Sequence, residues 1–345
     1  MNKAAWILFA IVVVGLLGFT TGVSYFDVSE QDVALQIPKG FPKPLYDFKG
    51  NKLKPEVFVL GRKLFYDPIL SRDYSTSCAT CHQRIAAFAH TDHALSHGIY
   101  ASIGKRNVPA LQNLIWKDAF MMDGGVNNLE VQPLSPLTNH IEMDEDLPHV
   151  LGKLQADSVY PGLFKAAFGD TAITSKRMLK ALTQFIGLMI SADSKYDKYT
   201  RGAAELSEQE LSGLKLFRQH CADCHKEPLF TDNSYRSIGL APDTLLNDSG
   251  RIIISGKAED CYRFKVPSLR NIEMTSPYMH DGRFRTLRQV MDHYGNGAFY
   301  EGYDKAIDKN IGLNDAEKKD IIAFLKTLTD KTFLYDRRFA DPNYR

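Results

Sequence analysis

Net charge is nearly missing from this chain: 42 Lys and Arg stand against 41 Asp and Glu, leaving +1 over 345 residues. Such a balance creates no large field, so neither nucleic acid nor an acidic substrate is indicated as a partner. Alternating runs of Val, Ile and Thr are few, which argues against an extensive sheet and leaves mostly helix joined by long loops. Tryptophan is reduced to Trp6 and Trp116, and cysteine to five residues. The positions of those cysteines are the most informative feature of the sequence.

Four of the five lie in two pentapeptides, Cys78-Ala79-Thr80-Cys81-His82 and Cys221-Ala222-Asp223-Cys224-His225. Two thiols at this spacing can add to the two vinyl groups of one porphyrin while the adjoining imidazole reaches the iron. Each pentapeptide therefore has the form of a covalent c-type haem attachment site. A lone Cys-x-x-Cys also suits a redox dithiol or half of a zinc site. The histidine after each pair and the wide separation of the pairs argue against both. Cys78, Cys81 and His82 are thus expected to hold one haem c, and Cys221, Cys224 and His225 a second, with His82 and His225 on the irons. Cys261 is left over and reads as a small buried residue.

At the amino terminus Lys3 precedes an apolar run from Ala4 to Phe19. It reads as an export signal or a membrane anchor. Counted through Val23, the run reaches about twenty residues, long enough to span a bilayer, and no clear Ala-x-Ala cleavage site follows, which favours an uncleaved anchor. Haem attachment of this kind takes place on the outer face of the bacterial inner membrane, so both signals agree on the periplasm. The remainder suits two domains of about 150 residues each. The expected layout is a signal or anchor over 1–24, a connector rich in Pro, Gly and Lys over 25–55, an N-terminal haem domain over 56–200 and a C-terminal haem domain over 201–345.

Val57 to Phe65 has a helical pattern ending before Pro68. Ser207 with Glu210 forms a capping-box start for a helix carrying Leu211, Leu214, Leu216 and Phe217. Gly61-x-x-Leu64-Phe65 and Gly213-x-x-Leu216-Phe217 make a weak internal repeat, each leading into its haem motif, as duplication of a cytochrome domain would. Ser175 to Tyr199 is predicted as one long helix with Met178, Leu182, Phe185 and Met189 on its apolar face. Asn314 and Glu317 cap a terminal helix bearing Ile321, Phe324, Leu325 and Leu328. The expected fold class is mainly α, with two cytochrome c-like domains.

From Leu53 to Thr329 the chain resembles the bacterial di-haem cytochrome c peroxidase family, including its MauG-like branch. The resemblance rests on the order and spacing of several landmarks. These are Leu64-Phe65-Tyr66-Asp67, the first haem motif, Arg106-Asn107-Val108-Pro109, Asp123-Gly124 with Leu129-Glu130, Glu142-Met143, the second haem motif, Phe264 to Asn271, and Pro277 to Gly282. It implies an enzyme that reduces hydrogen peroxide to water at the amino-terminal haem, with electrons entering through the carboxyl-terminal haem from a small donor cytochrome or cupredoxin. Glu130 matches the family's distal glutamate, which can move the proton that peroxide cleavage requires. Phe120, Met121 and Met122 stand where many relatives have a glutamine or tryptophan nearby, and Gly125 replaces a frequent arginine. This stretch thus lacks a polar helper for the glutamate.

The resemblance also implies roles for residues that their types alone would leave open. His97, with His93 close behind, matches a histidine that caps the resting first iron in many members, whereas the MauG-like branch keeps that iron open. Asn107, with the carbonyls of Thr275 and Pro277, matches the ligands of a calcium ion between the haems. Trp116 is either an indole that carries charge between the haems or core filler. The distal ligand position of the second haem falls on Tyr294, with Met291 one helical turn away as the alternative. A tyrosine there belongs to the MauG-like branch, which acts on a protein or organic substrate. A di-haem cytochrome that only carries electrons is the reading from another class, and a homodimer is compatible with all three.

Overall fold

In the computed structural model, residues 28–295, 300, 302–304, 307 and 311–343 are described. The segment expected as a signal or anchor over 1–24 lies outside them. No helix among the described residues is long and apolar enough to cross a membrane.

The fold is mainly helical. Five helices position the site: α1 (Pro55–Tyr66), α2 (Ser175–Gly187), α3 (Glu208–His220), α4 (Leu287–Gly295) and α5 (Asp315–Lys326). Their starts are dictated locally. Pro55 opens α1 where its missing N–H is not needed, while reciprocal capping boxes open α3 at Ser207 and α5 at Asn314. The sheet content is one two-stranded antiparallel pair, Tyr235–Arg236 against Phe264–Lys265.

Two helix crossings organise two apolar cores. Helix α1 crosses α2 at Gly61, where a Cβ would lie 2.0 Å from the carbonyl oxygen of Ala181. Helix α3 crosses α5 at Gly213, where a Cβ would lie 1.9 Å from the carbonyl oxygen of Asp320. Glycine costs about 1 kcal/mol in a helix relative to alanine, yet here only glycine lets the two backbones meet. The weak internal repeat is thus a repeated crossing point. Phe58, Phe65, Phe88 and Phe185 fill the first core, and Tyr196, Phe217, Phe230 and Phe324 the second. Burial of a side chain of this size is worth roughly 1.5–3 kcal/mol.

Four details differ from the sequence expectations. The long helix over 175–199 stops at Gly187, and a short one resumes over Lys195–Thr200 behind a Ser194–Asp197 capping box. The break has a cause: Asp330 Oδ2 accepts the backbone N–H groups of Ala192 and Asp193 at 2.8 and 2.9 Å, and Asn113 Oδ1 accepts that of Ser191 at 3.0 Å. Residues expected as a connector instead pack on the first core, which takes in Val28, Val33 and Phe48. Finally, Phe333, Leu334 and Phe339 return the end of the chain to that same core. Cys261 is only half-buried.

Candidate active site

Each haem motif sits on a tight turn that aims its histidine inward. Ser77 caps the helical turn Cys78–Cys81 with a reciprocal Thr80 contact. His82 then places Nδ1 2.8 Å from the carbonyl oxygen of Phe88, and His225 places its Nδ1 3.1 Å from that of Phe230 and 3.2 Å from that of Pro267. Both phenylalanines adopt positive φ, 59° and 55°. A histidine that donates through Nδ1 to a carbonyl keeps its Nε2 lone pair for a metal. Burial pushes His82 down to about 4 and also lowers His225, so both imidazoles are neutral, as ligation requires.

The thiols agree with this reading. Burial and the neighbouring motif thiol push Cys78 and Cys221 up to about 12, yet both keep accessible surface. Unpaired thiol pairs beside a free imidazole nitrogen fit haem c at both sites.

Two carboxyl groups belong to the first half of the chain, and Glu142 stands near the first motif. Glu130 Oε1 accepts a hydrogen bond from the Tyr46 hydroxyl at 2.7 Å, and the Glu130 backbone N–H is turned onto Asn128 Oδ1 at 2.8 Å. Glu142 accepts from Asn139 Nδ2 at 2.9 Å; burial raises its carboxyl, and its charge helps burial push the Cys81 thiol up to about 11. Neither Tyr46 nor the closeness of Glu142 to Cys81 was expected from sequence. Tyr46 lies within the stretch read as a connector, and no local pattern marks it.

His97 joins a column of imidazoles: its ring stacks on His93 at 4.2 Å, and His93 lies 5.4 Å from His90. The His97 carbonyl accepts from Cys81 Sγ at 3.3 Å. Among the described residues no hydrogen bond joins His97 to Glu130.

Near the second motif, Tyr294 on α4 is close enough to Cys221 and Cys224 to feel their charge. Burial raises its phenol well above the ordinary range, and Cys221 and Cys224 raise it further. His293 Nε2 lies 2.9 Å from the carbonyl oxygen of Ile238, and Met291 is buried in the second core, against which Cys221 also packs.

The seam between the motifs is tied by charged and aromatic landmarks. Arg106 bonds Asp248 through Nε at 2.6 Å and Asp123 through Nη1 at 2.5 Å. Arg270, fully buried, makes a two-pronged bond to Asp197 at 2.8 Å. Trp116 is buried beside a cavity that it shares with Lys117, Leu229, Thr231 and Asn233, next to the loop that holds His225, and its Nε1–H donates to the Pro42 carbonyl at 2.7 Å. Asn107 is buried against the 280 turn, its N–H on the His280 carbonyl at 2.7 Å and its Nδ2 on that of Ala94 at 2.8 Å.

The sequence profile described as di-haem cytochrome c peroxidase matches residues 55–205. The methylamine utilization protein MauG of Methylorubrum extorquens is 34% identical over 319 residues, covering 88% of this chain and 86% of that protein. This chain belongs to the di-haem cytochrome c peroxidase family. Cytochrome c551 peroxidase of Nitrosomonas europaea is also 34% identical, over 78% of this chain and 79% of that protein. The solved structure of a MauG-like protein associated with microbial copper homeostasis matches with a TM-score of 0.83 at 32% identity, covering 90% of this chain and 99% of that one. Membership in this di-haem family implies two covalently bound haem c groups, for which the two motif sites supply the anchoring atoms.

Proposed function

We propose that this chain is a periplasmic oxidoreductase that uses hydrogen peroxide at its N-terminal haem site to oxidise a protein or organic substrate, as in the MauG-like branch. The observation that carries this reading is Tyr294 on α4, close enough to Cys221 and Cys224 to feel their charge, and it is supported by the likeness to MauG. The haems supply the redox chemistry. Within the protein, Glu130 holds and returns the proton that peroxide cleavage moves, and Tyr294 and His225 would hold the second haem iron. A phenolate is a hard anionic donor that favours ferric and higher states, so it lowers the potential and suits retention of an oxidising equivalent. Trp116 is placed to pass charge across the seam, and the hard oxygen atoms of Asn107, Thr275 and Pro277 would hold calcium. In that reading His97 would line the pocket of the first haem instead of capping its iron.

A donor-fed peroxidase is the second reading, favoured by the likeness to cytochrome c551 peroxidase. The test is peroxide added to the resting protein with and without a reduced small cytochrome. Without a donor, the expected result is a spectral change that persists and is discharged by an oxidisable aromatic compound. Turnover only when the cytochrome is supplied would instead establish the donor-fed peroxidase.

A further inference from the structure

Glu130 has a partner that no family landmark supplies. Phe120 is buried and apolar, and Met121 offers only a sulfur at 3.9 Å from Gln132 Nε2, so the stretch before Asp123 brings no polar side chain to the carboxylate. The Tyr46 hydroxyl does, at 2.7 Å, from a segment that precedes the residues matched by the family profile. That segment is fastened along its length. The backbone N–H groups of Leu45 and Tyr46 both donate to the Ile115 carbonyl, at 2.9 and 3.1 Å, and Trp116 Nε1–H donates to the Pro42 carbonyl at 2.7 Å. Phe48 is buried against Gly187, where a Cβ would lie 2.8 Å from its ring, and it meets the Tyr46 ring edge-on at 4.8 Å. The phenol is therefore fixed when the protein folds, before any peroxide arrives.

We infer that Tyr46 is a positioning residue of the peroxide site: its hydroxyl holds the Glu130 carboxylate in place. It supplies from the amino-terminal segment the polar contact that residue 120 cannot. A fixed donor to a carboxylate restricts its rotamer. The phenol itself stays protonated, because burial and the carboxylates of Glu130 and Asp47 hold it above the ordinary phenol range, with Asn51 acting in the opposite sense. Trp116 acquires a second role, since its indole N–H anchors the segment that carries Tyr46.

This inference rests on Glu130 as the acid–base group, so the test compares two variants of the haem-loaded protein. Tyr46→Phe keeps the ring and removes the hydroxyl. Both haems should remain attached with unchanged spectra, and the peroxide reaction at neutral pH should slow about 10-fold, the size of one hydrogen bond to a charged group. The loss should fall on the cleavage step, with the peroxide concentration at half-saturation unchanged. A residue that only packs would keep the wild-type cleavage rate when its ring is retained. If Glu130→Gln is slow while Tyr46→Phe keeps the wild-type cleavage rate, the role of Tyr46 is overturned and that of Glu130 stands. If Glu130→Gln reacts at the wild-type rate, both fall.

Discussion

In the first domain a Gly61 crossing leads into a Cys-x-x-Cys-His turn whose histidine faces the Phe88 carbonyl; in the second, Gly213, the same motif and Phe230 repeat the arrangement. The two part company in what else they carry. The first half carries Glu130 with Tyr46, a carboxylate and its donor. The second carries Tyr294, a phenol that feels the charge of Cys221 and Cys224. On the proposed function, the shared parts attach a haem and the unshared parts decide what its iron can do. A carboxylate beside an open iron handles protons, whereas a phenolate on the iron closes it to peroxide and stabilises its oxidised form.

The largest break in this comparison comes from removing one attachment site. With Cys78 and Cys81 replaced by serine, the denatured polypeptide should carry one haem by mass and the protein should no longer react with peroxide. The matching replacement of Cys221 and Cys224 should also leave one haem but keep a first iron that meets peroxide. Retention of two haems by either variant would contradict the assignment of the motifs.

A subtler change separates the chemistry of the two domains without touching attachment. Glu130→Gln should keep both haem spectra while slowing the peroxide reaction about 100-fold, the usual scale of a positioned acid–base group. Stopped-flow mixing with peroxide measures this directly. An unchanged rate with intact haems would reduce Glu130 to a loop residue and erase the functional difference between the domains.

What could be read from sequence follows the same division. Haem motifs, capping boxes and the Gly61–Gly213 repeat are local, so spacing alone reveals them. Tyr46 and Glu130 are 84 positions apart, and no periodic pattern links them. The Pro and Gly content of residues 38–44 correctly marks irregular backbone, but irregular backbone is not the same as a tether: Phe48 is buried and Tyr46 enters the site. The helix break after Gly187 was hidden for a similar reason. Ala192 and Asp193 give their N–H groups to Asp330, well over a hundred positions later, and a long-range acceptor of this kind overrides an apolar helical stripe. The choice of Tyr294 rests on the counting of family landmarks, because Met291 lies on the same helix and satisfies its composition equally well.

The contrast between an open first iron and a phenolate-held second one is tested most directly by the oxidised spectrum of the wild type beside that of Tyr294→Phe. The wild type should lack a methionine-type near-infrared charge-transfer band. Tyr294→Phe should lose an axial ligand at the second haem and raise its potential, leaving the first haem as it was. A methionine-type band in the wild type, or a variant whose second haem keeps its ligation and potential, would contradict the assignment of Tyr294 and with it the difference between the two domains.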